Sequence, residues 1–393
     1  MKASGMLPRL ALLPVLVSLL GAQEVSQGFQ HFYNLEYPQA LAWFQAESAR
    51  DPQNPEPYTH IAQTLLYAEM FRNGILESEL VSGNNPFLRR PGLNPSDADQ
   101  RLFFDSIKKA VTLCDARLRR DPRDKAALYA IGSAYGVKGS WEFLIKRAYG
   151  DALSDTNKAS KYHERVTAMD PDYADALMVQ GVHEYVLGSM PRGARWFSFL
   201  IGLHGDKAKG IEMLRKVELL GQRNRLDAEI LLAATYRREK RFSEAIPLLS
   251  VLSDRFPRNF ILKFELVQIY SDLGDKRRAL EVLDQIEHLR ASAAPGYKQV
   301  PQERVQFARG NLLFWYRDYD QALDLMAKVT ANPQVLDLNT GVLAWMRLGQ
   351  LHDLKGKHDL AIPAYKQAIA FSPKSDAATE SKRYIGTPYH RKS

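Results

Sequence analysis

The sequence predicts an all-α solenoid of about eight helix-turn-helix hairpins. Two observations predict it. Small and large residues recur at a fixed spacing: Val267, Tyr270, Ala279 and Leu283 stand 34 residues after Ala233, Tyr236, Ala245 and Leu249. Gly349, His352, Ala361, Tyr365, Ala368 and Pro373 repeat the same internal spacing. A period near 34 with small residues at two fixed points is the pattern of stacked helical hairpins. The small residues let two helices approach closely, and the large ones fill the seam between them.

The elements follow in order. The first hairpin carries Gly28, Ala40, Phe44 and Pro52. The second opens with Tyr58, Ala62 and Leu65 and closes with Ala110, Cys114 and Pro122. The third has Leu128, Ile131, Gly132 and Tyr135, then Ala159 and Pro171; the fourth has Leu177 and Gly181, then Gly210, Leu214 and Val217. The fifth, sixth and eighth are the three periodic stretches already quoted, and the seventh has Gly310, Leu313, Tyr319, Ala322, Met326 and Val329. Each proline is expected just past the second helix, because it cannot continue the hydrogen-bond ladder. Three insertions break the period. Val81–Pro95 reads as a loop, Trp141–Tyr149 as helical, and Ser189–Gly205 as an irregular apolar stretch. The resulting division is a leader over 1–22, irregular hairpins with three insertions over 23–217, a regular array over 218–374, and a capping helix with a basic tail over 375–393. The tail, with His390, Arg391 and Lys392, reads as disordered.

Trp345, Leu348, Gly349, Gly356, Ala361, Tyr365, Ala368 and Pro373 make the last hairpin resemble a tetratricopeptide repeat. The resemblance runs over roughly residues 28–373 and is strongest in the last four hairpins. It implies a right-handed superhelix that binds protein or peptide in its concave groove. A local stretch is also similar to a tetratricopeptide family linked to inclusion-body clearance, through Gly188 to Arg192, Phe199, Gly202, Gly205, Asp206, Gly210 and Leu214. That similarity implies a membrane- or lipid-associated adaptor.

Composition sets further bounds. With 45% hydrophobic and 25% charged residues the chain can bury a core. A net charge of +8 favours acidic partners or an anionic surface. Cys114 is the sole cysteine, which excludes an intrachain disulfide and a thiolate metal cage. Lys2 and Arg9 flank or precede an apolar run from Leu10 to Leu20 that is too short to span a bilayer. It reads as a secretory signal cleaved near Ala22, placing the protein outside the cytoplasm; an uncleaved N-terminal anchor is the alternative.

No catalytic constellation stands out, so the chain is expected not to be an enzyme and to need no cofactor. His183-Glu184 opens like a zinc-protease helix, but Leu187 stands where the second histidine belongs. The glycines from Gly132 to Gly139 lack phosphate-loop spacing. Neither a small-molecule substrate nor nucleic acid is expected, because the basic groups Arg237–Arg241 and Lys276–Arg278 are discontinuous.

If the first helix of each hairpin lines a groove, as the resemblance implies, its inward positions are Arg237 and Arg238, then Phe264 and Gln268, then Arg304, Phe307, Asn311 and Phe314, then Met346 and Gln350. Aromatic anchors beside arginine are the usual chemistry of a protein hot spot. The lysines of the carboxylate-clamping branch are absent; Phe264 and Phe307 stand there instead. An alternative surface is the third insertion, where Arg192, Arg195, Trp196, Phe197 and Phe199 could meet an anionic bilayer.

Overall fold

The computed structural model describes residues 25–74, 76, 92–189 and 205–391. The leader over 1–22, most of the first insertion, and Arg192, Arg195, Trp196, Phe197 and Phe199 lie outside the described residues.

Among the described residues there are seventeen α-helices and no strand. They pair as eight hairpins: α1 (Gln27–Tyr33) with α2 (Tyr37–Arg50), α3 (Glu56–Arg72) with α4 (Asp97–Arg120), α5 (Lys125–Trp141) with α6 (Tyr149–Met169), and α7 (Leu177–Gly188) with α8 (Lys207–Leu220). The series continues with α9 (Arg225–Arg238) and α10 (Phe242–Arg255), α11 (Phe260–Leu273) and α12 (Lys276–Ala291), α13 (Gln302–Trp315) and α14 (Tyr319–Thr330), and α15 (Leu338–Leu354) and α16 (His358–Phe371). A last helix, α17 (Asp376–Gly386), buries Ala377, Ala378, Ser381 and Tyr384 against the end of the stack. The described helices stack in order as a solenoid of hairpins.

Local chemistry sets the boundaries. Helices α2, α4, α6, α10 and α16 each end two residues before a proline: Pro52, Pro122, Pro171, Pro257 and Pro373. Ser96, Asp124, Asp206, Asn259, Asp275 and Ser375 accept hydrogen bonds from first-turn amides at their helix starts, satisfying donors that have no intrahelical partner. Ala40, Ala62, Ala110, Ala159, Ala245, Ala279, Ala322 and Ala361 are wholly buried in the seams. Gly132 and Gly349 mark close approaches of the paired helices, since a Cβ there would lie 2.4 Å from His163 and 2.5 Å from the Tyr365 ring. The Gly132–Gly139 stretch is mid-helix in α5, and Cys114 is buried in its seam with burial pushing the thiol up to about 12.

The second insertion is helical but not simply α. Residues Glu142–Lys146 form a π-turn ending at left-handed Arg147, with φ of 60°. Trp141 is fully buried and stacks on Phe103 at 4.1 Å between centroids. Long α4 and α6 take up other residues in excess of the repeat.

The expectation of a disordered tail is corrected as far as Arg391. Residues after α17 run back over α15 and α13, where buried hydrogen-bond acceptors and aromatic faces hold them.

A second feature was not visible in the periodicity: the superhelix closes on itself. The α1–α2 turn meets the α10–α11 turn. Asn34 accepts from the backbone amide of Arg258 at 3.0 Å, Asn259 donates to the Tyr33 carbonyl at 2.8 Å, and Arg258 pairs with Glu36 at 3.0 Å. Tyr33 packs on Phe256 and Phe71 on Phe260. Arg223 reaches Glu56 at 3.0 Å. Five hairpins thus form a ring.

Candidate functional site

The ring encloses a cavity of about 1530 Å³. Its wall is built from the concave sides of α3, α5, α7 and the start of α9, with α1, α2 and α6 completing it. The floor is apolar. Phe29 and Phe44 come from the first hairpin, Leu66 and Tyr67 from α3, Val137 from α5, Leu144 from the π-turn, and Met178 and Val182 from α7. Among the lining residues, Phe143 and Tyr149 are 41% and 52% exposed with ring centroids 5.6 Å apart, and Val186 is 45% exposed. Large exposed apolar side chains clustered together mark binding surface.

Polar and charged side chains line it too, Glu47, Arg50, Asp51, Arg225 and Arg255 among them, and Asp227, His60 and His163 are set among its aromatic rings. Tyr33 donates to Asp227 Oδ1 at 2.8 Å across the ring closure. Burial pushes the Asp227 carboxyl up to about 6, against the hydrogen bonds of Tyr33 and Gln63, which favour the charged form. His60 sits between the Phe29 and Phe44 rings, each centroid 4.9 Å away, and burial pushes its pKa down to about 4. His163 is likewise pushed down to about 4 by burial, and its Nε2 lies 3.2 Å from the Tyr129 carbonyl. A carbonyl only accepts, so Nε2 carries the proton and Nδ1 is an acceptor. Nδ1 of both histidines is buried with no protein partner. At neutral pH the His60 and His163 imidazoles are therefore neutral. Charged Glu56 and Arg223 pair with each other at the rim. Among the described residues no group of three or more His, Cys, Asp and Glu is arranged to hold a metal, and no helix is long and apolar enough to cross a membrane. His183 lies on the cavity wall, while Glu184 pairs with Lys209 at 2.5 Å.

The residues singled out on α9 to α15 fall into two groups. Phe264, Phe314, Met346 and Gln350 are buried and serve packing; Phe314 has no exposed surface and Gln350 only 1%. Their burial follows from close stacking of successive hairpins, which leaves no open floor there. The others are partly accessible but engaged. Arg237 pairs with Glu265 at 3.1 Å and Asp272 at 3.2 Å. Arg238 lies over Tyr185, and Arg304 over Phe260 and Phe264. Asn311 accepts from Arg347 at 2.9 Å, Gln268 is half-buried, and Phe307 packs against the core of the seventh and eighth hairpins. Arg347, absent from the sequence-level set, stacks on Phe314 and Trp315 at 4.3 and 4.7 Å, and burial pushes its pKa down to about 10.

The cavity lies instead in the less regular half. One signal for it was available: Met178, Val182 and Val186 recur every four residues on α7, on a face that the Gly181 seam does not use.

Residues 342–375, which span most of α15 and all of α16, match the family described as tetratricopeptide repeat. One stretch of the chain, the eighth hairpin, thus carries a tetratricopeptide repeat. No curated protein matches the chain's sequence. Among solved structures, the APC/C hetero-tetramer Cut9-Hcn1 is 14% identical with a TM-score of 0.48, the match covering 90% of this chain and 53% of that one. This chain thus spans about half the length of that protein. The human IFIT1 dimer with m7Gppp-AAAA is 13% identical with a TM-score of 0.46, covering 92% and 80%. Yeast Tom70 is 14% identical with a TM-score of 0.41, covering 91% and 86%.

Proposed function

We propose that this protein is a non-enzymatic scaffold of the tetratricopeptide-repeat kind that takes a protein segment with apolar and aromatic side chains into the ring of its first five hairpins. The cavity carries the reading. Its volume of about 1530 Å³ exceeds the roughly 300–1,000 Å³ usual for small-molecule sites, and exposed Phe143 and Tyr149 offer hot-spot anchors. A helix about 10 Å across or an extended strand is an occupant of suitable girth. The Asp227 carboxylate gives such a segment a polar point of attachment, which fixes register more than it adds affinity.

The test is selection of a random peptide library on the intact protein, followed by affinity measurement on Val137→Trp, which fills the cavity. Selected peptides are expected to lose at least about tenfold in affinity, or about 1.4 kcal/mol, while the thermal midpoint holds. Unchanged affinity would contradict the reading.

Export is part of the same proposal. It rests on Lys2, Arg9 and the apolar run to Leu20 ahead of a small-residue site at Gly21-Ala22. N-terminal sequencing of the purified protein is expected to begin near Gln23; an intact Met1 would contradict it.

A further inference from the structure

The segment after α17 is bound in the way a short peptide is bound, on a surface distinct from the ring cavity. Tyr389 donates its backbone amide to Asp353 Oδ2 at 2.7 Å. Its ring lies 6.2 Å from Phe314 and 5.2 Å, edge-on, from Tyr384. Two residues on, the Arg391 guanidinium donates to the Phe314 carbonyl at 3.1 Å and the Trp315 carbonyl at 2.8 Å, and lies over the Trp315 ring at 5.5 Å. Those carbonyls are at the C-terminal end of α13, where the helix dipole favours a cation; the Phe314 carbonyl also accepts from the Arg317 amide at 3.2 Å. Thr387 and His390 face solvent while Tyr389 and Arg391 are half-buried. Alternate side chains in pockets with a backbone hydrogen bond between them is the pattern of an extended peptide on a receptor.

We propose that the concave surface over α13 and α15 is a second peptide site, selective for an aromatic residue followed two positions later by arginine, and that residues 387–391 fill it in cis. Three receptor elements set this preference: the Asp353 carboxylate for a backbone amide, the Phe314 face for the ring, and the α13 carbonyls with Trp315 for the guanidinium. Asp353 is independently anchored, accepting from Tyr365 at 2.6 Å with His358 Nδ1 also at 2.6 Å, so the receptor side is preorganised. The strap can leave without unfolding a hairpin, because α17 holds its own place through Ala378, Ser381 and Tyr384. It is also held against a like charge: Arg347 stacks on Trp315 too. The fused strap competes at the high effective concentration of a short tether. Partner segments of the same chemistry therefore reach the site only when the strap lifts. The inference does not depend on what the ring cavity binds.

The probe is a fluorescent peptide of residues 385–393, titrated by anisotropy against the full chain and against a variant ending at Gly386. The shortened variant is expected to bind at least tenfold more tightly than the full chain. Peptides carrying Tyr389→Ala or Arg391→Ala are expected to lose at least tenfold on it. Should the shortened chain lose its helical circular dichroism, a full chain with Tyr389→Ala and Arg391→Ala replaces it as the opened receptor. Failure of the peptide to bind a folded, opened receptor, or equal binding to opened and full chains, would overturn the proposal.

Discussion

Asp227, His60 and His163 give the cavity wall a defined dependence on pH. Each histidine is held near 4 in the folded chain and titrates near 6.5 when unfolded. Between those values the unfolded state binds more protons, so their stability contribution is whole above 6.5 and is lost as pH falls towards 4. Asp227 runs the other way: held near 6 against 3.8 unfolded, it contributes stability below 3.8 that is lost as pH rises through 6. Two groups oppose one, so the urea midpoint is expected to fall between pH 7 and pH 5. Asp227→Asn keeps an acceptor for Tyr33 and removes the buried charge. It should raise stability at pH 7 by about 2 kcal/mol and steepen the acid loss, as read by urea titration at both pH values. None of these burial effects was legible in the sequence. A lone histidine or aspartate on a helix carries no sign of what faces it from a hairpin far along the chain.

The hairpins themselves were largely legible. Prolines, alanines and glycines act locally, at a helix end or in a seam between neighbours, and each performs the role its spacing implied. The turns inside the hairpins were less so. Leu35, Lys240, Gly274, Arg317 and Gly356 all have positive φ between the first and second helix of a pair. In each, the next residue's amide closes back on the last turn, as Arg241 does on Tyr236 and Asp275 on Tyr270. Glycine tolerates this conformation and an L side chain is strained in it by about 1 kcal/mol or more. Lys240→Gly is therefore expected to raise stability by about 0.5–1 kcal/mol, and Gly274→Ala to lower it by about 1 kcal/mol, in chemical denaturation. The π-turn at 142–146 had no such local signal.

Ring closure belongs to the whole molecule. Small rotations between successive hairpins accumulate until the first meets the fifth and sixth, and no single residue encodes the sum. The closing contacts, Tyr33 to Asp227 and Asn34 to Arg258, join positions about two hundred residues apart. Asn34→Ala leaves the Arg258 amide without its acceptor in a buried joint, at a cost of about 1–3 kcal/mol. It should also loosen the ring, seen as a larger radius of gyration in solution scattering. The sequence placed the candidate groove in the regular hairpins, where spacing was clearest; close stacking and the strap over α13 and α15 fill that face. Irregular hairpins left the open space. Hydrogen exchange of the intact protein with and without a saturating library-selected peptide tests the central claim most directly. Slowed exchange confined to α3, α5, α7 and the start of α9 is the predicted result. Slowing confined to α11, α13 and α15, with the ring unaffected, would contradict it.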